Sequence, residues 1–484
     1  MLKKLITVLV IASALAGVWY LFLYHPKSVT TRSGAAYQEY LLGKEAVNKL
    51  YNNEALTHFK KAVSLDSNFA MACLYLGKLY QMNTAQKNLG EKYLKRAKAL
   101  APNVSQRERW IIYLNLAKTQ KEQNAYLDSL LQKYDNTIEP HWREAAIAMK
   151  KRDFKKAEQE YKRILKINPN YAMAYNMLGY LASQQGHTDE AIEYFKKYIF
   201  IAPDEANPHD SLGELLLLIG RYDEAIKEFK EALRIRPELT KEPSFLAEGV
   251  HFHLAEAYLS EGRFKKSLDY LAKAERLRSR GDLSVQVTAL KAYIFYQSGK
   301  YRESLAILAQ GKDRAPDLIF LKALNAVKLH RLQLFKSCIQ ELEAKSYQKE
   351  MKSKGAELIL DYLRGKEALL DHNYSKAIPL LKQFQKFPKF SLFAIRDLAW
   401  AYYKNNEADS ADAAIQQALK INPNSADAYF ILAKINFDRK RYPEAQKAIE
   451  HYLNVYKDRD RETPDSREMT ELLNRIRAKK IKNN

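Results

Sequence analysis

The sequence predicts an all-α protein, a superhelical solenoid of antiparallel helix pairs preceded by one transmembrane helix. Gly and Pro number 16 and 14 in 484 residues, about half of their usual joint share, which argues against β-sandwiches and disordered linkers. Apolar residues make up 47% of the chain, enough for a continuous core. A sequence pattern with a period near 34 residues covers most of the chain, and such periods are typical of stacked helical repeats.

The transmembrane helix is predicted from residues 5–24, a run of twenty residues without a charge. A helix of that length spans about 30 Å, the thickness of a bilayer core. Residues 1–4 would form a short cytoplasmic tail, because two lysines there favour a cytoplasmic N-terminus, and residues 25–35 a linker. We therefore expect a single-pass membrane protein whose large domain lies outside the cytoplasm, in the periplasm if the protein is bacterial. A signal peptide cleaved after Ala16 is the alternative.

The formal net charge of the chain is +22, from 79 basic and 57 acidic side chains. Such an excess permits attraction to anionic lipids, acidic polymers or nucleic acids, but solvated helix faces are the simpler explanation. Cys73 and Cys338 are the only cysteines in the sequence. Two cysteines exclude a disulfide-rich scaffold and a Cys-based zinc fold, and we expect both to be small buried side chains.

The repeat is clearest where residues 172–205 are compared with residues 206–239. The first segment has Tyr175, Leu178, Gly179, Ala182, Gly186, Ala191, Phe195, Tyr198 and Pro203. The second has His209, Leu212, Gly213, Leu216, Gly220, Ala225, Phe229, Ala232 and Pro237 at the same positions. Apolar residues three and four apart predict two amphipathic helices per repeat. Small residues let the two helices approach closely, a glycine permits the turn between them, and proline ends the second helix.

This pattern resembles the tetratricopeptide repeat (TPR), a family with Leu-Gly at repeat positions 7 and 8, alanine at 20 and 27, an aromatic residue at 24 and proline at 32. Ten repeats fit one register within residues 36–460. The resemblance implies pairs of antiparallel helices, named A and B, that stack into a superhelix. It also implies that partners bind on the concave face, which the A helices line.

The register predicts the organisation of the chain after the linker. N-terminal repeats occupy 36–171 with a degenerate helix pair at 105–135, central repeats 172–281, a repeat and a short helix pair 282–347, C-terminal repeats 358–459 and a capping helix 463–484. The cap is expected because the last repeat would otherwise expose its apolar face. The stretch 105–109 also gives a weaker resemblance to the extracytoplasmic TPR regions of bacterial membrane sensors. A one-component sensor is not expected, because residues 1–4 leave no room for a cytoplasmic effector.

The sequence carries no recognisable enzyme motif. It shows no glycine-rich phosphate loop, no nucleophile elbow, no His-Glu-x-x-His and no paired Cys-x-x-Cys. His251 and His253 are two residues apart on a predicted helix and would point to different sides, so they are not expected to share a metal ion. We therefore expect a protein that is not an enzyme, with no catalytic residues, no metal and no cofactor.

Candidate partner-binding residues are read from repeat positions 2, 5, 9 and 12, which face the concave side in the TPR family. The central and C-terminal candidates are Asn176, Tyr180, Asp210, Glu214, Phe252, Tyr293, Tyr362, Lys366, Arg396, Trp400, Tyr403 and Lys434. The N-terminal repeats supply Tyr40, Lys44, Lys78 and Trp142. These residues predict an aromatic groove with an acidic middle and a basic C-terminal half. Because aromatic and cationic side chains are typical of binding hot spots, we expect residues 358–459 to bind an extended or helical segment of acidic character. The alternative is that many of these rings only pack between helices.

The sequence therefore predicts a membrane-anchored, non-catalytic TPR scaffold that binds other proteins through its concave face. We expect those partners to be associated with the cell envelope. The alternative function is an acidic-glycan-binding or sensor module of an envelope or export system, because a net charge of +22 permits binding of an acidic polymer. Nucleic acid is not an expected partner, because the concave positions show no regular polar code.

Overall fold

The computed structural model describes seven stretches of the chain. They are residues 29–48, 51–82, 86–277, 284–310, 315–346, 354–385 and 394–483. These stretches form 25 α-helices and no strand, so the predicted all-α repeat architecture is confirmed for them. The predicted tail and anchor, residues 1–24, lie outside the described residues.

The first of two compact units ends at Ala174. Its described residues form eight complete helices that pack as four consecutive A–B pairs. The helices are α1 (Gly34–Asn48), α2 (Asn52–Leu65), α3 (Ala70–Gln81), α4 (Lys87–Leu100), α5 (Gln106–Leu116), α6 (Gln120–Lys133), α7 (Ile138–Lys151) and α8 (Phe154–Ile167).

The second unit begins at Tyr175, inside helix α9 (Ala172–Gln184). Its further helices are α10 (Thr188–Ile201), α11 (Asn207–Leu218), α12 (Tyr222–Ile235), α13 (Phe245–Ser260), α14 (Phe264–Arg276), α15 (Ser284–Gln297), α16 (Tyr301–Gln310), α17 (Pro316–Lys328), α18 (Leu332–Ser346), α19 (Lys354–Leu370), α20 (Tyr374–Gln385), α21 (Ile395–Lys404), α22 (Ala408–Ile421), α23 (Ala426–Asp438), α24 (Tyr442–Val455) and α25 (Pro464–Asn483). Odd-numbered helices up to α23 are A helices, each followed by its B helix.

In several pairs, close contact between the A and B helices depends on glycine in the A helix. Gly213 lies against the ring of Phe229 in the following B helix, and a Cβ added to Gly213 would come within 2.5 Å of a ring carbon. The same arrangement joins Gly43 to Phe59, where the added Cβ would lie at 2.8 Å. Both rings are fully buried, so the glycine hydrogen and the aromatic face together set the distance between the helices.

In each of the nine pairs from α7–α8 to α23–α24, the turn between the A and the B helix has one residue in the left-handed region of backbone space. Glycines occupy this position with φ from 72° to 78° at Gly186, Gly220, Gly262 and Gly299. Other residues occupy it with φ from 55° to 62° at Arg152, His330, His372, Asn406 and Lys440. The position therefore demands a backbone conformation that glycine adopts without strain and that other residues adopt at a cost.

The degenerate pair α5–α6 is defined by its helix starts. Ser105 accepts a hydrogen bond from the backbone of Glu108, whose carboxylate accepts one from the backbone of Ser105. Thr119 and Glu122 make the same reciprocal bonds at the start of α6. Such capping boxes satisfy backbone N–H groups that have no partner within the helix, and they fix both helices where the small-residue pattern of the repeat is weak.

Helix α25 covers the open end of the last pair. Its start is fixed by two bonds, from the Thr463 backbone N–H to Ser466 Oγ at 2.8 Å and from the Ser466 backbone N–H to Thr463 Oγ1 at 3.1 Å. Met469, Leu473 and Ile476 are buried in one cluster with side chains of α23 and α24. The apolar face of the final repeat is therefore shielded from water.

The second unit closes on itself. Asn424 Nδ2 donates to the carbonyl of Gly220 at 2.9 Å, and Asn422 Nδ2 donates to the hydroxyl of Tyr222 at 3.0 Å. The backbone N–H of Lys265 donates to Asp460 Oδ2 at 2.7 Å. Loops of the last repeats therefore contact the A–B turns of repeats that lie about two hundred residues earlier in the chain.

The predicted localisation as a single-pass membrane protein, with a cytoplasmic N-terminus and an extracytoplasmic repeat domain, is wrong on the present finding. Within the described stretches, no helix combines the length and the apolar character needed to cross a membrane. The physical reason is that these helices are amphipathic, with charged side chains on the face away from the core. Residues 5–24, from which the anchor was predicted, are not among the residues described.

The glycine contact can be tested with two Gly→Ala variants in the second unit. Gly213→Ala should lower the free energy of unfolding by about 1–3 kcal/mol, because the new Cβ would overpack against Phe229. Gly249→Ala is the matched control, because its Cβ would meet only His253 at 3.9 Å; it should be neutral or stabilising by up to about 1 kcal/mol through helix propensity. Thermal unfolding followed by circular dichroism measures both. Equal melting temperatures for the two variants would contradict the packing argument.

Candidate functional site

One cavity in the second unit, called here the unit 2 cavity, gathers six of the sixteen predicted site residues. Its volume is about 260 Å³. Its walls come mainly from the A helices α15, α17, α19, α21 and α23 and from the start of α25. The predicted residues that line it are Tyr293, Tyr362, Lys366, Arg396, Trp400 and Lys434.

Arg396 connects three segments around this cavity. Its Nη1 donates to Asp465 Oδ2 at 2.5 Å, and its Nε pairs with Asp427. Lys328 Nζ lies 3.7 Å from Asp465 Oδ1. Burial raises the pKa of Asp465, but Arg396 and Lys328 outweigh burial and hold that pKa below its usual value. Burial raises the pKa of Asp427, and Arg396 offsets this shift only in part. Arg396 on α21 therefore joins α23 to α25.

The other cations of the unit 2 cavity are paired as well. Lys366 Nζ donates to both carboxylate oxygens of Asp397, at 2.6 and 2.8 Å. The hydroxyl of Tyr362 donates to Asp397 Oδ2 at 2.6 Å, and Lys434 Nζ lies 2.7 Å from Glu468 Oε1.

The charges that line the unit 2 cavity are balanced. The four cations Lys328, Lys366, Arg396 and Lys434 face the four acids Asp397, Asp427, Asp465 and Glu468. The expected basic C-terminal half is therefore corrected to a charge-balanced surface, because each predicted cation has an acidic partner from a neighbouring helix.

Aromatic rings supply the rest of the lining. Trp400 lies partly buried, with Lys404 Nζ 4.5 Å and Lys434 Nζ 5.7 Å from its ring centroid. Tyr293 stacks on Tyr296, with ring centroids 6.1 Å apart. The predicted residue Tyr403 lies outside the cavity lining and contacts the Trp400 ring at 5.8 Å.

The ring of Tyr362 packs between helices, which is the alternative considered for the predicted aromatic residues, because the residue is only 3% exposed. Its ring centroid lies 4.8 Å from that of Phe384 and 5.3 Å from that of Phe320. Only its hydroxyl, bonded to Asp397, belongs to the polar lining of the cavity.

The predicted acidic middle forms a separate cluster around a histidine. Asp210 and Glu214 lie one turn apart on α11, and His253 on α13 lies between them. His253 Nδ1 is 2.9 Å from Asp210 Oδ1, and His253 Nε2 is 3.1 Å from Glu214 Oε1. The hydroxyl of Tyr180 donates to Glu214 Oε2 at 3.0 Å. These charges therefore satisfy one another.

Two further candidates of this region lie inside the packed unit. Asn176 is 5% exposed, and Phe252 packs against a cluster of buried side chains from α13, α14 and α15. Neither presents an open surface to a partner.

The charge of His253 follows from its two neighbours. Burial lowers the pKa of His253, but Asp210 and Glu214 outweigh burial and raise that pKa to about 10. Burial raises the pKa of Glu214 to about 6, against the opposing charge of His253. At neutral pH His253 is therefore an imidazolium, and each ring nitrogen donates to a different carboxylate.

These three residues have ligand atoms within 4.8 Å of one another, a spacing that could hold a metal ion. A metal would need one nitrogen of His253 deprotonated and both carboxylates turned towards that nitrogen. The observed pairing of each nitrogen with its own carboxylate fits an ion-paired histidine instead.

Sequence reasoning missed several residues of these sites. His253 is absent from the predicted site residues, although it occupies an A helix beside the predicted residue Phe252. Asp427 occupies repeat position 2, which was expected to face the groove, so the sequence carried a signal for it. Asp397 occupies position 6, and Asp465 lies outside the repeats. Cys73 and Cys338 are free and buried, as predicted.

A stack of helix pairs whose A helices line internal cavities defines a helical-repeat scaffold. Sequence models of the tetratricopeptide repeat match residues 143–206 and 396–466, 206–239, and 249–280. The chain therefore contains tetratricopeptide repeats. Such repeats are typically non-catalytic and bind other proteins, and the chain is consistent with that role.

Similar solved structures share the repeat architecture at low identity. PilW, a widely conserved type IV pilus biogenesis factor, is 18% identical over 44% of this chain and 96% of its own, with a TM-score of 0.36. PilF of Pseudomonas aeruginosa is 19% identical over 43% of this chain and 92% of its own, with a TM-score of 0.35. A chain of the APC/C hetero-tetramer Cut9–Hcn1 is 13% identical over 92% of this chain and 96% of its own, with a TM-score of 0.33. No curated protein matches the sequence significantly.

Arg396 should matter for stability. Arg396→Gln would leave Asp427 and Asp465 without their cation, and we expect a loss of about 3 kcal/mol in the free energy of unfolding. Arg477→Gln, on the part of α25 distal to these pairs, is the control and should change little. Thermal unfolding measures both variants. An unchanged melting temperature for Arg396→Gln would contradict the role of Arg396 as a connection between helices.

The double ion pair of His253 predicts a pH dependence. The folded pKa of His253, about 10, lies above its usual value of 6.5. The contribution of the imidazolium to stability is therefore largest near pH 6.5 and is lost as pH rises from 6.5 to about 10. Below about pH 6, protonation of Glu214 removes one of the two partners of His253. The melting temperature of His253→Gln should lie furthest below that of the wild type near pH 6.5 and converge with it near pH 10. His187→Gln, on the surface, should show no such trend. A constant difference for His253→Gln would refute the assignment.

Proposed function

We propose that the chain is a non-catalytic scaffold that binds a segment of a partner protein in the unit 2 cavity. The observation that carries this proposal is the convergence of aromatic side chains from successive A helices on one cavity whose charges are already neutralised. A partner segment therefore meets rings and fixed hydrogen-bonding groups rather than an excess of charge.

The cavity can hold one or two anchoring side chains of a longer protein segment, because its volume is about 260 Å³. Buried aromatic and arginine side chains are the usual anchors of protein–protein interfaces, and Trp400 is the largest ring in the lining.

The structure favours a partner segment of different chemistry from the one that the sequence predicts. The sequence predicts an acidic segment as the ligand, because Lys366, Arg396 and Lys434 lie at positions expected to face the groove. Since each of them has an acidic neighbour, the unit 2 cavity favours apolar or aromatic anchors. The balanced charge gives an acidic polymer no preferred place in this cavity, and an envelope location of the partner has no support from the fold.

Trp400 provides the test of this function. Trp400→Ala should abolish or strongly weaken capture of proteins that the wild-type chain recovers from cells that express it, because it removes the principal ring of the cavity. Phe200→Ala is the matched control, since Phe200 is an aromatic residue of the same unit that is 84% exposed on a B helix. Affinity capture with quantitative mass spectrometry measures the difference, and Trp400→Phe should restore part of the binding. Recovery of the same proteins by Trp400→Ala, with an unchanged melting temperature, would contradict the proposal.

A further inference from the structure

A second cavity, called here the unit 1 cavity, lies within the first unit. Its volume is about 250 Å³. Its lining comes from the A helices α1, α3, α5 and α7 of four successive pairs and from Tyr171. Unlike the unit 2 cavity, it is lined by three cations, Lys44, Lys78 and Arg143, and by one carboxylate, Glu139.

The three cations of the unit 1 cavity bond to neutral acceptors. Lys44 Nζ donates to the hydroxyl of Tyr75 at 2.7 Å. Lys78 Nζ donates to Asn115 Oδ1 at 2.8 Å, and Arg143 Nη2 donates to Gln123 Oε1 at 2.9 Å. Lysine carries three donors and arginine five, so each cation keeps donors for a further acceptor. Among the described residues, no carboxylate lies within ion-pair distance of any of the three.

The single carboxylate of the unit 1 cavity is already engaged. Glu139 Oε2 accepts a hydrogen bond from Arg107 Nη2 at 3.1 Å. The negative charge of Glu139 is therefore shared between Arg107 and the three cations of the cavity. Arg143 also has a buried Nε without a hydrogen-bond partner in the described structure. The lining therefore holds an excess of positive charge together with unused donors.

The electrostatics of Lys78 report the same excess. Partial desolvation lowers the pKa of Lys78, although its side chain is exposed, and the positive charges of Lys44 and Arg143 lower it further. Burial also lowers the pKa of Lys44, but Tyr75 and Glu139 outweigh burial and raise that pKa. The unit 2 cavity supplies one carboxylate for each cation, whereas the unit 1 cavity supplies only Glu139, which also pairs with Arg107.

We propose that the unit 1 cavity binds the carboxylates of an acidic peptide segment of a partner protein. The number and origin of the cations support a segment with several carboxylates. Lys44 and Lys78 both lie beside the Tyr75 ring, with Nζ 4.4 and 5.9 Å from its centroid, and Arg143 enters the same cavity from helix α7. A single carboxylate has too few acceptor sites for the free donors of all three cations, whereas a segment with several acidic side chains supplies them.

The aromatic lining favours a peptide over a nucleic acid. Tyr75 stacks on Phe59 with ring centroids 5.4 Å apart. Trp142 makes edge contacts with Tyr161 and Tyr171 at 5.6 and 5.9 Å. Single-stranded nucleic acids bind through free ring faces on which bases stack. These rings are already engaged by other rings and serve as apolar walls for the stems of glutamate or aspartate side chains.

This inference goes beyond the proposed function, because it concerns a different unit and a different ligand chemistry. The two can fail separately. Trp400→Ala should leave binding at the unit 1 cavity unchanged, and neutralising Lys78 should leave capture at the unit 2 cavity unchanged.

The test is the binding of a fluorescein-labelled octaglutamate peptide to the full chain, measured by fluorescence anisotropy at low and at physiological salt. The wild type should bind the peptide saturably, and the double variant Lys78→Gln, Arg143→Gln should bind it about tenfold or more weakly, because charged pairs at an interface are worth more than 1.4 kcal/mol. Lys95→Gln is the matched control, since it removes one charge from an exposed position on the B helix α4, and it should bind like the wild type.

Three further arms decide between ligand sources. Octaglutamine should not bind. Inorganic phosphate at matched ionic strength should not displace the peptide, and a uridine oligomer should not compete with it. No binding of octaglutamate, equal binding by Lys78→Gln, Arg143→Gln and by Lys95→Gln, or full displacement by phosphate or uridine oligomer would each overturn the proposal. The melting temperature of the double variant Lys78→Gln, Arg143→Gln should stay close to that of the wild type, because the loss of like-charge repulsion offsets the loss of the bond from Arg143 to Gln123. This measurement separates lost binding from lost folding.

Discussion

The close approach of helix A to helix B at a small residue of helix A is the constraint on which the rest of the structure depends. At Gly179 a side-chain carbon would lie 2.6 Å from the ring of Phe195, and in later pairs buried alanines such as Ala255, Ala399 and Ala433 occupy the same repeat position. Each pair alone would leave an apolar face in water, so stacking of the next pair is what buries it. Because the A–B distance is fixed, the A-helix positions that face inward are fixed as well.

Both cavities follow from that geometry, since their walls are made mainly of A-helix side chains. Their electrostatics differ because of what meets the cations. In the unit 2 cavity, Arg396 is neutralised by Asp427 from the next repeat and by Asp465 from the final helix. The final helix therefore covers the apolar end of the stack and also completes the charge balance of the cavity.

The parts of the fold that the sequence predicts are those set by local, periodic residues. Gly213, Ala225 and Phe229 identify a helix pair because their roles recur every repeat. The ion pairs were not predictable in this way, because Asp465 lies outside the repeats and reaches Arg396, 69 residues earlier, only when α21, α23 and α25 are stacked. His253 was missed for a similar reason, since its partners lie on another helix forty residues away. The expectations for residues 5–24 concern a segment beyond the described stretches.

The two cavities differ in what their cations contact: those of the unit 2 cavity pair with carboxylates of the same chain, and those of the unit 1 cavity bond to neutral acceptors. An ion pair such as Arg396–Asp465 links elements of the same chain, and its desolvation is compensated within the fold. The cations Lys44, Lys78 and Arg143 have only neutral partners, so their mutual repulsion is a cost that the folded chain carries by itself. A ligand that supplies the missing negative charge removes that cost as well as forming its own contacts. Unbalanced charge on A-helix positions is thus a stronger sign of a binding surface in this chain than the presence of cations or aromatic rings at those positions.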